Sequence, residues 1–467
     1  MQVFHRLFST KYMVKEKDRI GELPSSKEAY QKTFHLAWPS MTESVLVCLT
    51  GAVDTMMVGS ISPQAISAVG ITNQPKFILL ALIFSLNVGI TAVIARRKGE
   101  NNKDGANRCL KQTLLISTIL AILLFGIGNL IAEPLLRFAG AGNDIISDAV
   151  LYFRIIMVGI FFNSIGLAIN AAQRGVGNTR ISMTTNLTAN VVNVIFNYFL
   201  INGIWIFPKW GVAGAAVATA LGNFVAFLMA LYSIIPKDRY ISLFSKSSWK
   251  FDKQTMASVT KVASSACAEQ VAMRIGFFLY AKIVAGLGTI PFATHQVCMS
   301  IMSISFGFGD GFSVAAATLV GQSLGAKRPD KARIYGSICQ RMALIISTGL
   351  FIAFILWRKP IVGLFTKDAT IIEQGAIIMI IMAFTTHAQT SQVIITGCLR
   401  GAGDALHVAL TSLLSIGIVR PLLTWLLCYP IGWHLPGAWI GVMLDQYLRL
   451  IINYIHFAKG KWTKIKL

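Results

Sequence analysis

The chain has 467 residues, of which 54% are hydrophobic and 13% charged, with a mean hydropathy of +0.63. A soluble chain of this length carries roughly a quarter charged residues and divides into domains, so this composition excludes an ordinary soluble enzyme and favours a polytopic membrane protein. The formal net charge of +22 raises the question of nucleic acid, which only the placement of the charges can answer.

Residues 1–32 are polar and basic, with no apolar stretch before a small-residue cleavage site, so they predict a cytoplasmic N-terminal segment rather than a signal peptide. Twelve apolar runs follow, near 33–59, 66–95, 109–131, 148–172, 181–206, 211–235, 256–286, 291–322, 337–357, 371–397, 406–430 and 435–457. Each is long enough to cross a hydrocarbon core of roughly 30 Å. None alternates with period two, which argues against a β-barrel. Numbered as helices, the runs sort 31 Lys and Arg onto one side, beginning with Arg6 and Lys11 and ending with Lys464 and Lys466. Only Arg137, Lys209, Arg358, Lys359 and Lys367 fall on the other. The positive-inside rule then places both termini in the cytoplasm. The excess charge is topological, and no nucleic-acid partner is implied. The seven cysteines are scattered, without a CxxC pair, and read as small apolar residues.

The two halves repeat at a constant spacing. Glu43, Gly99, Asp104, Pro134 and Arg174 match Glu269, Gly325, Asp330, Pro360 and Arg400, each 226 residues later. The predicted fold is therefore all-α, with twelve transmembrane helices in two six-helix bundles. With an even number of helices per half, a pseudo-two-fold axis along the membrane normal relates them. The expected domains are an N-terminal segment (1–32), an N-lobe (33–235), a cytoplasmic linker (236–255), a C-lobe (256–457) and a tail (458–467). Such paired bundles are the architecture of secondary transporters. Gly-rich turns at "RGVGNT" and "RGAGDA" lack the Lys and Ser/Thr of a P-loop, so an ion gradient rather than ATP is the expected energy source. No clustered nucleophile supports an intramembrane enzyme such as an acyltransferase.

The pieces "VDTMMVGSIS", "ARRKGENN", "RGVGNT", "ATHQV", "VGQSLGAKR", "RGAGDA" and "GAWIGVMLDQYLR" occur in that order across residues 40 to 449. In them the chain resembles the multidrug and toxic compound extrusion (MATE) transporters, most closely their bacterial DinF-like branch. The resemblance implies export of small organic, often cationic, compounds in exchange for H⁺ or Na⁺. It also implies no bound cofactor, a monomer in the plasma (inner) membrane, and the lipid bilayer and the substrates as partners. A lipid-linked saccharide flippase of the same broad superfamily is the alternative; flippases of that kind usually have more helices or a strongly charged central cavity.

Asp54 lies deep in the first run, where an acid costs on the order of 2.5–3.5 kcal/mol to insert and is functional by default. Its ionised and cation-bound forms can favour different conformations, as coupling requires. The resemblance gives the helix 1 acid that role. Asn193 and Asn197 share one face of helix 5, where the family often has Asn followed by Asp; here the second residue stays an amide, which weakens the case for tight Na⁺ binding. Thr219 is expected to complete this cation-coupling set. Glu43, three turns before Asp54, extends a proton path or anchors the helix. Glu269 is expected to be neutralised by Arg274 and Lys282 of its own helix, with a second coupling site as the alternative. Asp310, flanked by glycines, marks a close helix contact or a break, and a substrate-facing role is open to it. Arg420, followed by Pro421, predicts a kink carrying a buried charge that pairs with an unidentified acid of the C-lobe, with a place in a proton path or second site as the alternative. Asp445 and Arg449 are expected to neutralise each other. His295 and His387 lack metal-ligand spacing to other donors and read as structural.

Overall fold

A computed structural model describes residues 8–59, 61–204 and 206–465. Arg6 and Lys466 among the counted basic residues, and Ser60 of the "VDTMMVGSIS" piece, lie outside them. Among the described residues the chain is helical and contains no strand. The long helices are α1 (Ser26–Gly59), α2 (Pro63–Gly99), α3 (Lys103–Leu130), α4 (Ile146–Val176), α5 (Thr179–Asn202) and α6 (Gly211–Ser233). The second set is α7 (Lys253–Ala285), α8 (Thr289–Gly325), α9 (Pro329–Leu356), α10 (Ala369–Ala402), α11 (Ala405–Cys428) and α12 (His434–Lys459). Several begin before their apolar runs, α1 by a polar turn from Ser26, because backbone hydrogen bonding continues a helix beyond the lipid.

Nine of these are long and apolar enough to cross a membrane, among the described residues. The three that fall short, α5, α7 and α12, are where Asn193 and Asn197, Glu269, and Asp445 and Arg449 reside. Part of their low hydropathy comes from polar residues turned inward: Asn193, Asn197, Glu269, Asp445 and Arg449 are all buried.

The chain forms two compact units. One comprises Thr42–Ala263; the other comprises residues up to Met41 together with those from Ser264 onward. The divisions fall inside α1 and α7, and packing explains why. Ala29, Leu36 and Ala37 at the start of α1 belong to a core cluster with Phe312, Leu319 and Ile338. Val259 at the start of α7 belongs to one with Ile90, Ile94 and Ile169. The link between α6 and α7 is strapped to α3. Asn107 Nδ2 donates to Tyr240 O (2.9 Å), the Ser242 amide donates to Asn107 Oδ1 (2.7 Å), and the buried Lys111 ammonium donates to Ser245 O (2.7 Å) and Ser247 O (2.8 Å).

Within lipid there is little hydrophobic drive between helices, so close packing of small residues holds them together. Gly222 of α6 shows this beside the site described below. A Cβ there would sit 2.7 Å from Ala189 O and 3.3 Å from Asn193 Cβ, so only glycine lets α6 approach the backbone of α5. The repeat is also visible in the turns: Gly177 and Gly403, 226 residues apart, both cap their helices in the left-handed region, at φ 96° and 89°.

Candidate functional site

The polar line of α5 faces the polar face of α1. Asn197 Nδ2 donates to Asp54 Oδ1 at 2.7 Å. Asn193 stands one turn earlier. With its amide turned to satisfy both neighbours, Nδ2 donates to Asp54 Oδ1 (2.7 Å) and Oδ2 (3.2 Å), while Oδ1 accepts from Thr219 Oγ1 (3.0 Å). Asp54, Asn193, Asn197 and Thr219 are thus brought together. Asn197 Oδ1 is buried and has no hydrogen-bond partner among the described residues. An orphaned acceptor beside a carboxylate suits a bound proton or metal cation, since an amide offers either two donors or an acceptor, depending on which edge it presents.

This group opens on a cavity of about 540 Å³ within the Thr42–Ala263 unit, a size suited to a drug-sized ligand, which needs roughly 300–1,000 Å³. Asp54, Asn197 and Thr219 line it with Tyr152, Asn190 and Lys76. Lys76 was absent from the residues singled out by sequence, although the rule that draws attention to an intramembrane acid applies equally to an intramembrane base.

Glu43 sits elsewhere, in a polar knot with Asn186 Nδ2 (2.5 Å), Ser182 Oγ (3.0 Å) and Arg174 (3.6 Å). Glu269 repeats that knot, with Arg400 at 2.6 Å and Ser412 at 3.2 Å. Asn186 and Ser412 are themselves 226 apart, so glutamate, arginine and one polar partner recur, while the position matching Ser182 is Val408. The expectation that Glu269 pairs along its own helix is corrected by this: Arg274, five residues on, is rotated by about 140°, and the charge that reaches Glu269 comes from the end of α10.

Arg420 is buried, and its acid is Asp445. Asp445 also bonds Arg449 Nη2 (3.1 Å) and Ser415 Oγ, so the i,i+4 pair is one edge of a larger cluster. The kink expected at Pro421 takes the form of a π turn over Ser415–Val419, just before Arg420. A Cβ at Gly276 of α7 would collide with the Ile416 carbonyl in that turn. Asp310 is exposed on a continuous α8; Gly311 is where the close contact falls, for a Cβ there would collide with the backbone of Met41. Tyr280 stands 226 residues after Asp54 and is buried in a core cluster, its ring against that of His295.

The sequence profile of the MatE family matches the chain twice, over residues 39–199 and 266–426. A probable multidrug resistance protein NorM of Thermotoga maritima is 28% identical over 94% of each chain. Multidrug resistance protein PmpM of Pseudomonas aeruginosa is 25% identical over 91% of this chain and 90% of its own. Among solved structures, a MOP superfamily transporter from Pyrococcus furiosus superposes with a TM-score of 0.87 at 19% identity, covering 94% of this chain and 97% of that one. An outward-facing multidrug resistance MATE transporter gives 0.87 at 20% identity, covering 93% and 97%; at these identities the likeness concerns the fold.

Proposed function

This chain belongs to the MatE family, and on that premise we propose that it is an ion-coupled multidrug exporter in which Asp54 binds the coupling cation. Relatives that align along nearly the whole chain are named for multidrug resistance. The observation that carries the coupling role is the environment of Asp54: a carboxylate held by neutral amides, with a spare buried acceptor on Asn197, open to a cavity. A carboxylate in such company exchanges a proton or Na⁺ without breaking a salt bridge. The amides of Asn193 and Asn197 donate to the empty carboxylate, and the spare oxygen of Asn197 is there for a bound cation. Thr219 fixes the amide of Asn193.

Export follows if ion and substrate compete for this cavity while it is exposed alternately to the two sides of the membrane. One charge moving down 100 mV supplies about 2.3 kcal/mol. Both termini are assigned to the cytoplasm, the membrane to the plasma (inner) membrane, and the working unit to a monomer. The test is dye efflux from proteoliposomes under separately imposed pH and Na⁺ gradients. One of the two gradients accelerates efflux if the reading is right and thereby names the ion; efflux indifferent to both overturns it.

A further inference from the structure

Asp54 and Lys76 are the charged residues among those lining the cavity. From this geometry we infer that the cavity is built for zwitterionic compounds, with Asp54 receiving a cationic centre and Lys76 a carboxylate or comparable anion. The inference rests on the efflux reading above and assigns its substrate class.

The α2 wall of the cavity is one helical face, formed by Val69, Gly70, Asn73, Lys76 and Phe77, whose spacings of three and four stack them on one side. Lys76 is therefore turned toward the cavity by register, its ammonium 5.2 Å from the centroid of the Phe77 ring. Its ammonium has three donors, and one goes to Asn73 Oδ1 at 2.9 Å. Asn190, another lining residue, has an amide nitrogen with no hydrogen-bond partner among the described residues. Donors therefore remain in this cavity for an anionic acceptor.

Asp54 lines the cavity from α1 with Val47, Thr50, Gly51 and Val58. No ion pair within 4 Å joins Asp54 to Lys76 among the described residues, though each lies in the electrostatic reach of the other. A closed pair would leave no site; two opposite charges held apart leave one for a molecule that bridges them. A ligand carrying a single positive charge would meet Asp54 but also feel repulsion from Lys76. A zwitterion satisfies both groups and leaves the cavity neutral, which matters most where water is scarce. The antiport logic is kept: a coupling cation arriving at Asp54 displaces the cationic centre and makes the cavity net positive.

Rhodamine 110 and its methyl ester, rhodamine 123, provide the test, since they differ by one carboxylate. In gradient-driven proteoliposomes the wild type should half-saturate at a lower concentration of rhodamine 110 than of rhodamine 123. Lys76→Gln should lower the ratio of rhodamine 110 to rhodamine 123 efflux by about tenfold or more, the scale of losing one partner of a buried charge pair. Lys76→Arg, which keeps the charge, should hold the ratio near the wild-type value. An unchanged ratio in Lys76→Gln overturns the inference, as does a wild-type preference for the ester, which is readable even if the variant misfolds. Gradient-driven efflux of the ester alone refutes the substrate class and keeps the export reading. Efflux of neither dye under either gradient refutes both.

Discussion

In the Thr42–Ala263 unit, the hydrogen bonds to Asp54 come from the neutral amides of Asn193 and Asn197. In the other unit, Asp445 is gripped by the guanidiniums of Arg420 and Arg449 and by the Ser415 hydroxyl. The frame around the two acids is shared, since the knots of Glu43 with Arg174 and Glu269 with Arg400 recur at one spacing. Three turns beyond each knot the halves diverge. The N-terminal half places Asp54 on α1; the C-terminal half places Tyr280 at the matching position of α7 and draws its acid from α12. The π turn in α11 adds a residue, so Arg420 and Thr424 take the buried positions that Asn193 and Asn197 hold in α5. Charge pairing decides what each acid can do. An acid among amides can give up or accept a cation, whereas an acid between two buried guanidiniums is already neutralised and costly to disturb.

The largest effect expected from this contrast is on stability in the locked half. Asp445→Asn strands two buried guanidiniums and should cost about 3–5 kcal/mol, read by unfolding titration in detergent. A loss well under 1 kcal/mol would show that the cluster is not locked. Glu269→Gln should cost roughly 1–3 kcal/mol by leaving Arg400 underpaired. Glu43→Gln should cost less, because Arg174 stands at 3.6 Å against 2.6 Å for Arg400. Equal losses would mean the two knots are interchangeable in strength. Thr219→Val should weaken ion binding by about 0.5–1.5 kcal/mol, raising several-fold the ion concentration needed for half-maximal efflux. No change would remove Thr219 from the set.

The smallest effect lies outside the membrane, where the N-terminal segment is tied to the start of α9. Asp330 accepts from Arg328 Nε (2.9 Å) and Nη2 (2.8 Å) and from the Ile20 amide (3.2 Å). Burial pushes its carboxyl up, but the hydrogen bonds from Arg328 and from backbone amides, with the Arg328 charge, outweigh that and hold it below the usual value. A depressed acid stabilises the fold above its unfolded pKa, about 3.9, and that contribution is lost as pH falls through the lower folded value. Proteolysis of the segment ahead of α1 should therefore quicken only in strong acid, and in Asp330→Asn at neutral pH. Unchanged cleavage in both would mean the tie does not hold the segment.

Much of the site was legible in the sequence because polar residues stand out against apolar runs. Asp54 interrupts one, and the spacing of Asn193 and Asn197 put them on one face before any fold was known. The constant offset likewise fixed two halves of six helices. Other features left no such trace. A π turn has no marker beyond a nearby proline, so the register that brings Arg420 to Asp445 was not readable. The partner of Glu269 comes from a distant helix end that reads as an ordinary cytoplasmic turn. Lys76 was readable by the same reasoning as Asp54, and its importance came into view only when the two were found to line one cavity.

The most direct test compares gradient-driven dye efflux in proteoliposomes of Asp54→Asn and Glu269→Gln, each normalised to folded protein. Asp54→Asn should fall to the rate of protein-free vesicles while unfolding like the wild type, and Glu269→Gln should keep its response to the gradient. Normal gradient-driven efflux by folded Asp54→Asn, or loss of coupling in folded Glu269→Gln instead, would contradict the assignment of exchange to the N-terminal half.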